Sequence, residues 1–173
     1  SEPYLRLTAD VMAAFGVHGV EVGSECIVVP EGRYQPTSLP IEPDASSASY
    51  PLAMAAVAGG RVTVEGLTAA SHQGDAVFAD LLVQMGCERV DDPSITIVRD
   101  PERPLTGIDV DMAAISDLVP TLAAVAAAAT TPTTIRGVGF IRAKESDRLG
   151  DLATELAKLG ANVAVTDDGL HIE

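Results

Sequence analysis

Apolar residues recur at a helical spacing in three places along the chain, and each pattern ends at a glycine. In the last pattern the apolar positions fall at i, i+3, i+4, i+7 and i+10: Leu149, Leu152, Ala153, Leu156 and Leu159. This spacing predicts a helix with one apolar stripe, and residues 77–85 show a similar pattern. Gly16, Gly86 and Gly160 stand where a helix C-cap favours a left-handed residue, so we predict a helix end at each of them.

Short runs of β-branched and aliphatic residues follow each of these glycines and predict strands. The runs cover residues 27–29, 95–98 and 170–172. The three glycines are spaced 70 and 74 residues apart, so the chain contains a repeating unit about 70 residues long.

The other half of this unit repeats in the same order. Residues 41–49 align with residues 108–116, and both segments open an Ala-rich helix. The two helices are predicted at 52–57 and 122–129, and the strands that follow them at 62–66 and 133–137. The unit is therefore strand, helix, strand, helix, strand, strand (βαβαββ), which predicts an α/β (α+β) fold. We divide the chain into a partial unit, 1–38, and two complete units, 39–103 and 104–173.

The net charge of the chain argues against some classes of binding protein. The 173 residues include 25 Asp and Glu but only 11 Lys and Arg, which gives a net charge of −14. A surface this acidic argues against a nucleic-acid binder or a binder of anionic membranes. The longest uncharged run, 118–135, contains Pro120 and Pro132, so it predicts a helix, a turn and a strand rather than a membrane span.

Cysteine and histidine spacing does not indicate a metal site, and we assign no metal and no cofactor. We interpret Cys26 and Cys87 as two buried thiols in a reducing compartment. The serine-rich stretch 45–50 lacks the signature of a nucleophile, so we interpret it as helix capping and close packing.

Three of the eleven basic residues, Arg142, Lys144 and Arg148, fall within seven positions. They lie where a loop enters the last predicted helix, and a helix N-terminus favours anions. Lys144 and Arg148 would suit a phosphate or carboxylate, with Glu145 between them placed for proton transfer. From spacing alone, the favoured interpretation is a solvated surface network of salt bridges in which Lys144 and Arg148 pair with Glu145 and Asp147.

Asp117 is the second candidate, at the mouth of the Ala-rich helix and without a cationic neighbour in sequence. Local sequence leaves two interpretations open: a catalytic base, or an N-cap or first-turn acid of the helix.

Several motifs together closely resemble the 5-enolpyruvylshikimate-3-phosphate synthases. They are residues 1–4 (Ser-Glu-Pro-Tyr), 42–50 (Glu-Pro-Asp-Ala-Ser-Ser-Ala-Ser-Tyr), 73–75 (Gln-Gly-Asp), 78–80 (Phe-Ala-Asp) and 144–149 (Lys-Glu-Ser-Asp-Arg-Leu). The resemblance implies an enolpyruvyl transferase fold of the inside-out α/β barrel type, with two domains of three βαβαββ units each. Residues 1–38 would then be the C-terminal part of a unit in the first domain. Residues 39–103 and 104–173 would be two units of the second domain, whose third unit is absent.

The resemblance also implies a reaction: transfer of the enolpyruvyl group of phosphoenolpyruvate to the 5-hydroxyl of shikimate 3-phosphate, with release of phosphate. This step belongs to the shikimate pathway of chorismate and aromatic amino acid biosynthesis. Asp117 matches the proton acceptor of the family. Glu145 matches the acid that delivers a proton to the methylene carbon of phosphoenolpyruvate and later removes one.

Substrate ligands follow from the same matches. Lys144, Ser1, Tyr4 and Asp117 would contact shikimate 3-phosphate, and Arg148 would contact phosphoenolpyruvate. The resemblance implies a cytoplasmic transferase, monomeric at full length, whose partners are these two small molecules. Phe140 departs from the family, because a polar residue that contacts shikimate 3-phosphate is usual at its position.

Other family motifs are missing from the chain: the N-terminal Gly-Ser-Lys loop, the central Ser-Ser-Gln motif and the C-terminal Asn-Asp-His-Arg segment. We therefore expect the chain to be a fragment that is inactive alone. Two alternatives are the related transferase that acts on UDP-N-acetylglucosamine, and a non-catalytic module that binds a phosphorylated metabolite.

Overall fold

The computed structural model of the protein describes residues 2–173. The helices are α1 (Glu2–Ala14), α2 (Ala45–Ala58), α3 (Phe78–Gln84), α4 (Val119–Ala126) and α5 (Arg148–Lys158). The strands are β1 (Glu21–Val22), β2 (Ile27–Val28), β3 (Gly60–Thr68), β4 (Glu88–Asp91), β5 (Ser94–Arg99), β6 (Asp109–Asp111), β7 (Thr133–Arg136), β8 (Val163–Val165) and β9 (Leu170–Ile172). Three short 3-10 segments precede helices α3, α4 and α5: Gly74–Val77, Ala113–Leu118 and Gly139–Ala143.

The first segment of the chain is a helix followed by a small hairpin. Helix α1 ends before Gly16, whose φ of +92° lets the chain reverse without the clash that a side chain would cause. Strands β1 and β2 then pair antiparallel, and residues 29–44 run on without regular structure. Most apolar side chains of this segment remain exposed, although Val17 is buried.

Two sheets form the body of the protein. The first has the order β3-β5-β4 and is antiparallel, with a register shift between Thr63 and Thr68. The second has the order β6-β7-β9-β8, in which β6 and β7 run parallel and the other pairs antiparallel. The parallel pair needs a crossover, and α4 supplies it between β6 and β7.

One hydrophobic core joins the two sheets, because α2 packs on β3 and β5 and also against α4. Alanines at this contact, including Ala56 and Ala123, are fully buried and let the two helices approach closely. The hydroxyls of Ser49 and Thr121 lie 3.3 Å apart in the same contact, so both buried oxygens have a partner there.

The mixed architecture confirms the predicted α/β fold, and the glycine pattern is confirmed in detail. Gly16, Gly86 and Gly160 all have positive φ, at 92°, 106° and 94°. The predicted strands at 95–98 and 170–172 correspond to β5 and β9.

The predicted first strand of the unit 39–103 is wrong. Residues 41–44 form no strand, whereas the aligned residues of the next unit form β6. Pro40 and Pro43 have no N–H to give to a strand ladder. The carbonyl of Pro43 instead accepts a hydrogen bond from Nε2 of Gln73 at 2.8 Å, and Ile41 is left 83% exposed.

Three smaller expectations also differ from the structure. Leu159 is 85% exposed, because α5 ends at Lys158 and the apolar stripe ends with it. Helix α4 ends at Ala126 rather than at residue 129. The chain turns after the helix, and the N–H of Thr130 donates to the carbonyl of Leu105. Cys87 is buried as expected, but Cys26 is exposed in the first hairpin.

Candidate active site

Asp117 lies in the 3-10 segment Ala113–Leu118, between the end of β6 and the start of α4. Ile115 and Leu118 are buried in the core, and Ile115 has a non-helical backbone that interrupts the segment. Because these apolar residues anchor the turn, the polar side chain between them faces outward. The side chain of Asp117 is 43% exposed.

Lys144 and Arg148 lie on the approach to α5. The preceding 3-10 segment is anchored by Ile141, which is fully buried, and residues 144–146 then form a bend. Asp147 caps α5 by accepting the N–H of Gly150 at 3.0 Å, so Arg148 is the first residue of the helix. Lys144 precedes the helix and does not share its face with Arg148.

The structure brings four of the predicted site residues together. The Lys144 ammonium lies 2.7 Å from Oδ1 of Asp117, and Nη1 of Arg148 lies 2.8 Å from the same oxygen. The other edge of the Arg148 guanidinium faces Glu145, with Nη2 at 2.6 Å and Nε at 2.7 Å from Oε1. Arg148 therefore bridges the two carboxylates, and the two cations balance the two anions.

These contacts lower the pKa of both carboxyl groups. For Asp117 the hydrogen bond from Lys144 contributes most to the lowered pKa, followed among the lowering causes by the bond from Arg148. For Glu145 the hydrogen bond from Arg148 is the main cause of the lowered pKa. Both groups are thus held in the charged form while the cations face them.

The alternatives left open by the sequence can now be compared with the geometry. Asp117 is not the N-cap of α4, because Leu118 holds that position. The Asp117 carboxylate instead bonds two cations that are 27 and 31 residues away in sequence. The predicted surface network is present in part, because Arg148 and Glu145 form an ion pair while Asp147 caps α5 instead. Arg142 lies outside the cluster, with its guanidinium donating to the carbonyl of Thr166.

Tyr4 lies on α1, and its hydroxyl donates to the carboxylate of Asp75 at 3.0 Å. Burial contributes most to the raised pKa of Tyr4, and Asp75 adds to it. The charges of Asp117 and Asp44 raise this pKa further. Ser1 lies outside the described residues. Phe140 is 55% exposed.

Sequence reasoning missed Asp75, which was quoted as part of a motif but given no role. It is buried and accepts hydrogen bonds from Tyr4 and Ser46, which are 71 and 29 residues away. Helical or strand periodicity cannot reveal partners at such separations.

Two further observations concern other kinds of site. Within residues 2–173, no three His, Cys, Asp or Glu side chains are grouped in a way that could hold a metal ion. No helix in this range has the length and apolar character needed to cross a membrane.

Comparison with known proteins supports the resemblance seen in the motifs. A family model described as EPSP synthase (3-phosphoshikimate 1-carboxyvinyltransferase) matches residues 1–173. The 3-phosphoshikimate 1-carboxyvinyltransferase of Nostoc punctiforme is 48% identical over 171 residues, which is 98% of this chain and 40% of that protein. The protein of the same name from Methanoculleus marisnigri is 47% identical over 174 residues, 99% of this chain and 41% of its own length.

Solved structures agree with the fold. EPSP synthase from Acinetobacter baumannii superposes with a TM-score of 0.77 at 27% identity, over 94% of this chain and 39% of that one. The enolpyruvyl transferase NikO from Streptomyces tendae reaches a TM-score of 0.70 at 23% identity, over 100% of this chain and 40% of its own, and shows the fold alone.

The chain thus spans about two-fifths of the length of the curated relatives that it matches. The family model matches from the first residue to the last, and the relatives approach half identity over nearly the whole chain. On this evidence the chain belongs to the EPSP synthase (3-phosphoshikimate 1-carboxyvinyltransferase) family.

Proposed function

We propose that this chain forms part of a transferase that moves the enolpyruvyl group of phosphoenolpyruvate to the 5-hydroxyl of shikimate 3-phosphate and releases phosphate. The observation that carries the proposal is the cluster in which Lys144 and Arg148 meet Asp117, with Glu145 on the far edge of Arg148. Two fixed cations suit two anionic substrates, and two separate carboxylates suit two proton-transfer roles.

In this reaction the 5-hydroxyl loses its proton to Asp117 as its oxygen bonds C2 of phosphoenolpyruvate, and Glu145 gives a proton to C3. In the second step Glu145 takes a proton back from C3 as the bond from C2 to the phosphate oxygen breaks. The double bond returns, and the proton that left the hydroxyl departs with the phosphate. Lys144 holds shikimate 3-phosphate and Arg148 holds phosphoenolpyruvate.

Because Asp117 and Glu145 pair with the same cations that would hold the substrates, substrate binding must rearrange the cluster. A carboxyl group whose pKa is lowered by cations is a weak base and, at neutral pH, holds no proton to give. When substrate phosphate and carboxylate groups take over Lys144 and Arg148, both carboxyl groups lose partners and their pKa values rise. Once the anions are in place, Asp117 is a stronger base, and Glu145 is more often protonated and so has a proton to give.

The remaining assignments belong to the same proposal. Ser1 and Tyr4 contact shikimate 3-phosphate from the first domain, to which residues 1–38 belong, and residues 39–103 and 104–173 are two units of the second domain. The full-length transferase acts as a cytoplasmic monomer in the shikimate pathway. The 173 residues alone are inactive, because the active site forms between two domains and this chain supplies only part of it.

The proposal is tested in the full-length transferase with Asp117→Asn and Glu145→Gln. Each change keeps the shape of the side chain and removes a proton-transfer group, so each should slow phosphate release by about 10²- to 10⁴-fold. Glu155→Gln is the matched control, because Glu155 pairs with Lys158 on the same helix, and both side chains are exposed. Wild-type rates in both site variants would refute the proposed roles of Asp117 and Glu145. Sustained turnover by the 173-residue chain would refute the statement that it is inactive alone.

A further inference from the structure

Asp75 is the one charged side chain that is buried among residues 2–173, with 2% of its surface exposed. Burying a carboxylate is costly unless a cation or hydrogen-bond donors replace the lost water. No lysine, arginine or histidine in this range forms an ion pair with it. Hydrogen bonds must therefore stabilise it, and they come from two other parts of the chain.

The donors are hydroxyl groups on two helices. The Tyr4 hydroxyl, on α1, lies 3.0 Å from Oδ2 and 3.2 Å from Oδ1 of Asp75. The Ser46 hydroxyl, in the first turn of α2, donates to Oδ2 of the same carboxylate. Asp75 itself lies in the 3-10 segment Gly74–Val77, so a single buried carboxylate joins three elements.

The two residues before Asp75 contribute to the same junction. The Gln73 side chain donates from Nε2 to the carbonyl of Pro43 at 2.8 Å and accepts the N–H of Ala45 at 2.9 Å. Gly74 lies directly against α1, since a Cβ added there would be 2.5 Å from Cβ of Pro3. Residues 73–75 thus hold the start of α1 against the start of α2, and each of the three residues makes a different contact.

This junction adjoins the charged cluster. The segment Gly74–Val77 packs against Ala113–Leu118, the segment that carries Asp117. Among residues 2–173, Asp75 is the only hydrogen-bond partner of the Tyr4 hydroxyl. The position of that hydroxyl therefore depends on Asp75.

We propose that Asp75 is a positioning residue: its buried carboxylate holds Tyr4 of α1 against the first turn of α2, next to the segment that carries Asp117, so that the Tyr4 hydroxyl can meet shikimate 3-phosphate. The substrate in this statement rests on the proposed function. The junction itself rests only on the contacts of Asp75 and can be measured without any reaction.

The junction is tested first by hydrogen exchange on the 173-residue chain. Asp75→Asn and Tyr4→Phe each weaken or remove the hydrogen bond to a charged acceptor, so amides of α1 should exchange about tenfold faster or more. Asp80→Asn is the matched control: Asp80 lies on α3 and pairs with Arg89 at 2.7 Å, away from α1, so it should leave α1 unchanged. If the amides of α1 exchange at an unchanged rate in both test variants, the proposed junction is refuted.

The positioning role is tested by kinetics of the full-length transferase. Asp75→Asn and Tyr4→Phe should each raise KM for shikimate 3-phosphate about tenfold, while kcat and KM for phosphoenolpyruvate change less than about threefold. Because both variants break the same contact, the double variant should have about the same KM for shikimate 3-phosphate as either single variant. A lower melting temperature with no selective rise in this KM would mean a merely structural role and overturns the proposal.

The two experiments also separate the inference from the function. If the full-length protein fails to use the two substrates, the proposed function fails, and with it the substrate named for Tyr4. The exchange rates of α1 still decide whether Asp75 holds the junction.

Discussion

Replacing Asp117 by Asn should strengthen the binding of a simple anion to this chain, although the same change should slow catalysis. One carboxylate oxygen of Asp117 pairs with both Lys144 and Arg148, at 2.7 and 2.8 Å. An incoming phosphate must displace or share this carboxylate. The asparagine variant removes the negative charge that pairs with both cations, while Arg148 keeps its ion pair with Glu145.

The size of the effect follows from how exposed the groups are. The side chain of Asp117 is 43% exposed, and those of Lys144 and Arg148 are 29% and 25% exposed. Ion pairs at such positions contribute about 0.2–1 kcal/mol each, so two pairs give at most about 2 kcal/mol. Since a tenfold change in affinity corresponds to about 1.4 kcal/mol, we expect phosphate to bind more tightly by up to about thirtyfold.

The assay is calorimetric titration of the 173-residue chain with inorganic phosphate at low salt and again near 1 M salt. Screening at high salt should reduce the gain to less than about threefold. Asp109→Asn is the control, because it makes the same change in net charge and frees one exposed arginine, Arg136. Equal or weaker phosphate binding by Asp117→Asn would refute the reasoning, as would an equal gain in the control.

Two further predictions concern stability. Asp44→Ala removes the N-cap of α2 and should cost about 1 kcal/mol in urea unfolding, whereas Asp44→Asn should keep most of the cap. The Ser47 hydroxyl is the main cause of the lowered pKa of Asp44. Because the pKa of Asp44 is lower in the folded state, its charge stabilises the fold above about pH 4, the unfolded-state pKa. This stabilisation is lost as the pH falls further, through the folded-state pKa, so the alanine variant should approach the parent protein in acid. A gap that stays constant with pH would contradict this account. Leu156→Ala should lower the free energy of unfolding by about 2–5 kcal/mol because Leu156 is buried. Leu159→Ala should change it by no more than about 0.5 kcal/mol because Leu159 is 85% exposed. Equal losses in the two variants would contradict the end of α5 at Lys158.

Periodicity and glycine placement were enough to predict most of the fold. The positive φ of Gly16, Gly86 and Gly160, the apolar faces of α3 and most of α5, and several strands all depend on neighbours within a few residues. The failures depend on distant partners. Residues 41–44 align with a true strand, but the side chain of Gln73, 30 residues after Pro43, takes the backbone carbonyl that a strand ladder would need.

The candidate site was predictable as a set of residues but not as a geometry. Local sequence placed Lys144, Glu145 and Arg148 together and left Asp117 without a cation. The structure shows that both cations reach Asp117 across 27 and 31 residues. Asp75 escaped notice because it bonds Tyr4 over a separation of 71 residues, and only the packing of α1 brings the two together.

The central claim is tested most directly by product analysis of the full-length transferase. Phosphorus NMR of a mixture with phosphoenolpyruvate and shikimate 3-phosphate should show inorganic phosphate and the enolpyruvyl ether of shikimate 3-phosphate appearing in equal amounts. Replacing shikimate 3-phosphate by UDP-N-acetylglucosamine should give no phosphate. Phosphate release with the nucleotide sugar, or none with shikimate 3-phosphate, would contradict the account.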